Sequence, residues 1–166
     1  FDLQDPTNRD RLAMMRAGTR MVQGHPLTGV GPDMVQEVYV NYRDTDAVNE
    51  NNPHLHNVPL QIAAERGLPA LGAWIWFVVV SVRELIRGFR RPESRTLAAG
   101  GLAATSAMLA AGMFEYNFGD SEFLMLFLVL LTLPAAAAYS PKESVSIPRG
   151  SARHQSSFRQ DPALEA

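Results

Sequence analysis

Polar and apolar positions divide the chain into two regimes. Three runs carry no charged residue, from Gly67 to Val82, Leu97 to Phe114 and Phe123 to Pro141, whereas residues 1–66 and 142–166 hold most of the ionisable groups. An apolar run of about 18 or more residues predicts a transmembrane helix, because roughly 20 helical residues cross the hydrocarbon core. The second and third runs meet that length. The first is shorter, but Arg66 and Arg83 at its ends can snorkel toward headgroups. The expectation is an all-α polytopic membrane protein fragment. Its parts are a helical extracytoplasmic loop (1–66), three transmembrane helices (67–87, 96–114 and 123–140), a basic cytoplasmic loop (88–95), a short outer loop (115–122) and a disordered tail (141–166). A soluble bundle with buried helices is the rival, and it fits poorly because three such runs in a row show little amphipathic patterning.

Within the polar part, residues 5–23 predict a helix, with Asp5 or Thr7 as cap and Pro6 in the first turn. At 100° per residue, Arg9, Arg16 and Arg20 fall on one face, and Leu12, Met15, Thr19 and Val22 on the opposite one. Arg11 sits with the apolar set, where a guanidinium needs an anion or dense acceptors, since an unpaired desolvated charge is costly. An internal ion pair would serve as well as a ligand. Residues 24–33, Gly-His-Pro-Leu-Thr-Gly-Val-Gly-Pro-Asp, break the helix. The amides around Gly29 and Gly31 could form an anion-binding nest or an ordinary loop. Asp33 then caps a second helix to about Arg43, with Val35, Val38, Tyr39 and Tyr42 on one face.

Composition changes this picture little. Mean hydropathy is −0.08 and would suggest a soluble domain, but it averages the two regimes. With no cysteine, disulfides and thiolate metal sites are excluded. The formal charge of −2 is uninformative about partners, because the signs are separated along the chain. Arg83, Arg87, Arg90, Arg91 and Arg95 outnumber Glu84 and Glu93 between the first two runs, so the positive-inside rule puts that loop in the cytoplasm and residues 1–66 outside. The chain opens on Phe1 without a signal-peptide pattern, as expected of the C-terminal portion of a longer membrane protein.

The chemistry concentrates in residues 53–67. Asn57 is a good N-cap and Pro59 suits a first turn, so a helix starts near 57 and leaves His54 and His56 just before it. The positive end of the helix dipole favours neutral imidazole, which accepts a proton. A capping or packing role is the bland reading of both histidines. The His-x-His spacing permits zinc, but a third ligand is wanting. The acids of residues 44–52 lack the glycine and terminal glutamate of a calcium loop.

Three features then stand in order: Arg11, Pro26-Leu-Thr-Gly-Val-Gly-Pro32, and His54-Leu-His56-Asn57 with Gly67 ten positions beyond Asn57, nine residues intervening. Together they resemble the O-antigen ligase family of bacterial polytopic membrane proteins, over about residues 9–135. Ala70 departs from that pattern, in which a second glycine is common. The resemblance implies transfer of a glycan from an undecaprenyl-diphosphate carrier to an acceptor hydroxyl, at the periplasmic face of the inner membrane. It implies no nucleotide, metal or other cofactor, and no nucleic acid. The partners are the lipid-linked glycan donor, a glycan, lipid or protein acceptor, and the bilayer. His56 matches the position of a catalytic base and Arg11 that of an arginine handling the diphosphate. Asn57, His54, Arg16, Gly29 and Gly31 are expected substrate contacts. An O-antigen or exopolysaccharide polymerase and a protein O-oligosaccharyltransferase fit the same resemblance. A non-enzymatic transporter or scaffold is the rival from another class, and it lacks the intramembrane charges that would favour it.

Overall fold

The computed structural model describes residues 5–45, 47, 49 and 51–139. The tail expected to be disordered lies outside them. Five α-helices and no strand occur among the described residues: α1 (Pro6–Gly24), α2 (Val35–Tyr42), α3 (Val58–Phe89), α4 (Arg95–Ala111) and α5 (Ser121–Tyr139), with a 3-10 turn at Asn117–Gly119 before α5.

Helix α1 starts as its cap residues dictate, with the Asp5 carboxylate accepting from Thr7 N–H at 2.8 Å. Its buried side is not the stripe expected from the larger residues. Asp10, Ala13, Met14, Ala17, Gly18 and Met21 face inward, while Leu12 and Met15 are 38% and 49% exposed. Small side chains explain the rotation. A Cβ on Gly18 would lie 2.6 Å from Leu55 Cδ1, so this face lets α1 lie against the segment leading into α3. Arg11 turns to the exposed surface.

Helix α2 is shorter than expected and Asp33 does not cap it. Met34 is the N-cap residue, without a side-chain hydrogen bond, and Asp33 adopts φ 60°. The apolar face was read correctly: Val35 and Tyr39 are buried, and Val38 and Tyr42 pack beside them on Met14, Ala17, Met21, Leu55 and Ala64.

The chain after α2 is tied back to α1 by charge. Arg20 donates to the Asp44 carboxylate at 2.5 Å and to Tyr42 C=O at 2.8 Å, Arg16 reaches Asp44 at 3.4 Å, and Asp10 accepts from the Asn49 amide and side chain. The Arg20 hydrogen bond, with help from Arg16, holds the Asp44 carboxyl below its ordinary value of 3.8. A lowered folded-state value contributes stability that is complete above the unfolded value and is lost as pH falls through the folded one. Acidification below about pH 4 therefore loosens the end of α2 from α1. Limited proteolysis of the full-length protein checks this: cleavage after α2 rises at low pH in wild type, while Asp44→Asn is already loose at neutral pH. Equal pH dependence in the two proteins would refute it.

Helix α3 has two limbs. Asn57 caps the first through its Oδ1, which accepts from Leu60 N–H at 3.0 Å, and Pro59 occupies the first turn. Gly67, at φ 80° and ψ 172°, breaks the helical path, and Pro69 falls in the first turn of the second limb. The nine residues between Asn57 and Gly67 are thus the length of the first limb. Among the described residues α3 alone is long and apolar enough to cross a membrane. Helix α4 has 17 residues, about 25 Å of rise, and α5 has a shorter apolar stretch over Ser121–Ala137. Three spans are therefore more than these helices establish. Helix α4 packs closely between α3 and α5 at Gly101, where a Cβ would be 2.6 Å from Leu85 of α3 and 3.1 Å from the Leu130 carbonyl of α5.

Candidate functional site

The break at Gly67 strands two carbonyls and one amide, and the glycine-rich loop takes up all three. Val30 N–H donates to Ala64 C=O at 2.8 Å, Gly31 N–H to Glu65 C=O at 3.0 Å, and Leu68 N–H to Pro26 C=O at 2.8 Å. The contact is backbone on backbone. A Cβ on Gly29 would sit 2.2 Å from the Glu65 carbonyl carbon, and one on Gly67 2.3 Å from Leu27 O. Both glycines have positive φ, 66° and 80°. This corrects the anion-nest reading: Gly29 N–H is spent on His25 C=O and Gly31 N–H on Glu65 C=O, so neither amide is left for a ligand.

The same docking presents residues 54–57. Leu55 is buried in the core and its N–H donates to Gln61 Oε1 at 2.8 Å; Gln61 Nε2 donates to Glu65 Oε1 at 2.7 Å, and Arg66 Nη1 to Glu65 Oε2 at 2.9 Å. Glu65 is 3% exposed and Arg66 46%, so the buried carboxylate is paired and hydrogen-bonded as burial of a charge requires. With Leu55 anchored, His54 and His56 lie 5.6 Å apart between ring centroids. His56 holds φ 48°, a left-handed conformation that a non-glycine residue keeps only where surrounding contacts impose it.

The end of α4 completes the site. Val58 N–H donates to Gly112 C=O at 2.7 Å, and Asn57 Nδ2 to Met113 C=O at 3.3 Å. That junction brings Glu115 to His56, with Nδ1 3.0 Å from Oε2, and Tyr116 to His54, with centroids 5.8 Å apart. His56 is 30% and Glu115 60% exposed, leaving the pair open to a substrate. When Nδ1–H donates to the carboxylate, Nε2 is the free acceptor. Asn57 is buried and engaged at both ends of its carboxamide, which makes it a clamp between helices. Arg16 is committed to Asp44. Among the described residues no hydrogen bond or ion pair joins Arg11 to His56, and Gly18, which abuts Leu55, is seven residues, about 10 Å of helix, beyond Arg11. No group of three His, Asp or Glu side chains gathers for a metal among the described residues.

Sequence reasoning missed Glu115, Tyr116, Gln61 and the Glu65–Arg66 pair. Gln61, Glu65 and Arg66 had a local signal, since Gln61 and Glu65 stand at i, i+4 and Gly67 directly follows Arg66. Glu115, 59 residues from His56, had only its place as the first carboxylate after the second apolar run.

A fold that is all-helical among the described residues, with one membrane-capable helix among them entered through a histidine–carboxylate pair, is the class that fold and site define. Residues 2–75 match the family model described as O-antigen ligase, a stretch that takes in α1, α2, the glycine-rich loop and the start of α3. Over that segment the chain is similar to the O-antigen ligase family, which is associated with membrane-integral bacterial ligases and polymerases of polysaccharide biosynthesis. None of the curated proteins matches the chain.

Proposed function

We propose that the chain carries the active site of a glycosyltransferase of the O-antigen ligase type, which moves a glycan from an undecaprenyl-diphosphate carrier to an acceptor hydroxyl. The observation that carries this reading is the His56–Glu115 pair, 3.0 Å apart at the entry to α3. Nε2 of His56 takes the acceptor proton as the oxygen attacks the anomeric carbon, and the carbon–oxygen bond to the diphosphate breaks with its electron pair leaving on phosphate. Glu115 holds Nδ1–H and stabilises the imidazolium that forms, the logic of a base oriented by a carboxylate. Arg11, exposed on α1, is proposed to supply bidentate donors to the departing diphosphate. His54 lies against the base at the edge of the acceptor path.

In this reading α3, α4 and α5 are three spans, with residues 1–66 and 115–122 on the periplasmic side of the inner membrane and the basic loop 88–95 inside. Large apolar side chains exposed along α3 and α5, among them Ile75, Trp76, Val79, Leu126 and Val129, support a lipid-facing surface. The span of α4, about 25 Å, suits a locally thinned bilayer. Lipid A core, a growing glycan and a protein are all acceptors that this chemistry serves, and product analysis separates them.

The test is turnover by the purified full-length protein in proteoliposomes, given lipid-linked glycan and candidate acceptors: free undecaprenyl diphosphate and glycosylated acceptor appear together. Absence of both with every acceptor class removes the proposal. Glu115→Gln keeps an acceptor for Nδ1–H but loses the charge. A hydrogen bond to a charged partner contributes about 1.5–3 kcal/mol, and exposure places Glu115 at the low end, so turnover falls roughly tenfold. An unchanged rate would take Glu115 out of the mechanism.

A further inference from the structure

Next to the His56–Glu115 pair lies a pocket of about 560 Å³, walled by Asp33, Glu65, Arg66, Trp74, Tyr116 and Phe118. Its volume is within the roughly 300–1,000 Å³ of small-ligand sites. Three separate parts of the chain build it: the end of the glycine-rich loop, the two limbs of α3 on either side of Gly67, and the connection from α4 to α5. We propose that this pocket seats one sugar ring of the transferred or accepting glycan against the histidine base, a proposal that rests on the glycan-transfer reading above.

Continuity is the first argument. Tyr116 in the wall directly follows Glu115, the partner of the base, and its ring packs on His54. A ring held there stands beside the reacting atoms.

Lining chemistry is the second. A sugar offers an apolar face of C–H groups and a rim of hydroxyls that both donate and accept. Trp74, Tyr116 and Phe118 supply rigid apolar surface, with Trp74 and Phe118 edge to face at 5.8 Å. Asp33 supplies a carboxylate acceptor that has no hydrogen bond or ion pair among the described residues, on a backbone held at φ 60°. Arg66 keeps guanidinium donors beyond the one given to Glu65. Burial pushes the Tyr116 hydroxyl above its ordinary value, so it remains a neutral O–H able to donate and accept. The Trp74 indole N–H is buried with no partner among the described residues, a further donor beside the pocket.

Charge is the third. Two carboxylates against one guanidinium leave the pocket formally at −1, which repels a diphosphate and suits a hydroxylated ring. The phosphate end of the donor therefore lies elsewhere.

The experiment uses the full-length protein in proteoliposomes, with lipid-linked glycan extracted from the host as donor and an acceptor fraction from a strain lacking this protein. Each substrate is titrated in turn against Asp33→Asn and Trp74→Phe. Asparagine tolerates a left-handed backbone as aspartate does, and phenylalanine keeps the aromatic wall, so both variants fold. The half-saturating concentration of one substrate rises about 5- to 20-fold, as loss of a hydrogen bond of roughly 1–2 kcal/mol gives. The rate at saturation stays within about threefold, and the pH profile does not move. A rise for the donor assigns the ring to the donor; a rise for the acceptor assigns it to the acceptor. Half-saturation unchanged for both substrates in both variants, whatever the maximal rate, overturns the proposal while leaving the base intact. Full activity of a His56 variant would instead remove the reading on which it rests.

Discussion

On the proposed glycan-transfer reading, substitution of His56 lowers turnover by at least about 10²-fold at saturating substrate, because a positioned general base is worth roughly 10²- to 10⁴-fold. Alanine alone is an imperfect probe here. His56 sits at φ 48°, and a left-handed backbone costs an ordinary L-residue about 1–2 kcal/mol. His56→Asn is the better variant, since asparagine accepts that backbone but cannot take up the acceptor proton. Both proteins are purified in detergent, matched to wild type by melting temperature, and assayed in proteoliposomes for release of undecaprenyl diphosphate. The loss appears in the maximal rate, with half-saturation little changed, because the proton is transferred in the bond-making step and not on binding. Wild-type turnover by folded His56→Asn would show that the histidine is only a packing residue. His54→Asn serves as the comparison: its ring touches His56 and Tyr116 but lacks a carboxylate partner among the described residues, so its effect is the smaller.

What could be read from the sequence was what short-range chemistry determines. Asp5 and Asn57 cap α1 and α3 because a cap is a contact between residues two or three apart. The apolar face of α2 was legible for the same reason, as a period within one helix. The buried side of α1 was not, because its docking was decided by the absence of side chain at Gly18 and the small ones at Ala13 and Ala17, which a search for large apolar residues passes over. Half of the site was illegible for a different reason. Glu115 meets His56 only because the carbonyls of Gly112 and Met113, just past α4, accept hydrogen bonds from Val58 N–H and the Asn57 side chain at the start of α3, and nothing near either residue announces that pairing. The glycine-rich loop was noticed as a nest or an ordinary turn, but not as the partner of a broken helix: the Val30 and Gly31 amides satisfy carbonyls that are left over only once Gly67 has broken it.

The largest effect on folding is therefore expected at a glycine outside the chemistry. Gly67→Ala places a Cβ 2.3 Å from Leu27 O, 2.5 Å from Leu27 C and 2.9 Å from Thr28 N, all backbone atoms with no rotamer to yield. Its φ of 80° with ψ of 172° belongs to a region that is essentially glycine's own, costing another residue about 1–3 kcal/mol before any clash. Relief requires pulling the loop 24–33 off α3, which strands the Ala64 and Glu65 carbonyls and the Leu68 amide, at about 1–3 kcal/mol for each buried group left unpaired. Together these come to about 4–12 kcal/mol, comparable to the roughly 5–15 kcal/mol that holds a whole domain folded, so the folded site is lost in much of the population. Gly72→Ala is the internal control, on the same helix with nothing within 4 Å of the added Cβ, and removing a mid-helix glycine there stabilises by up to about 1 kcal/mol. Thermal melting of the full-length variants in one detergent separates the two: Gly67→Ala unfolds far below wild type and Gly72→Ala at or above it. Coincident melts for Gly67→Ala and wild type would mean that the loop does not hold α3 at its break, and the presentation of His56 would need another cause.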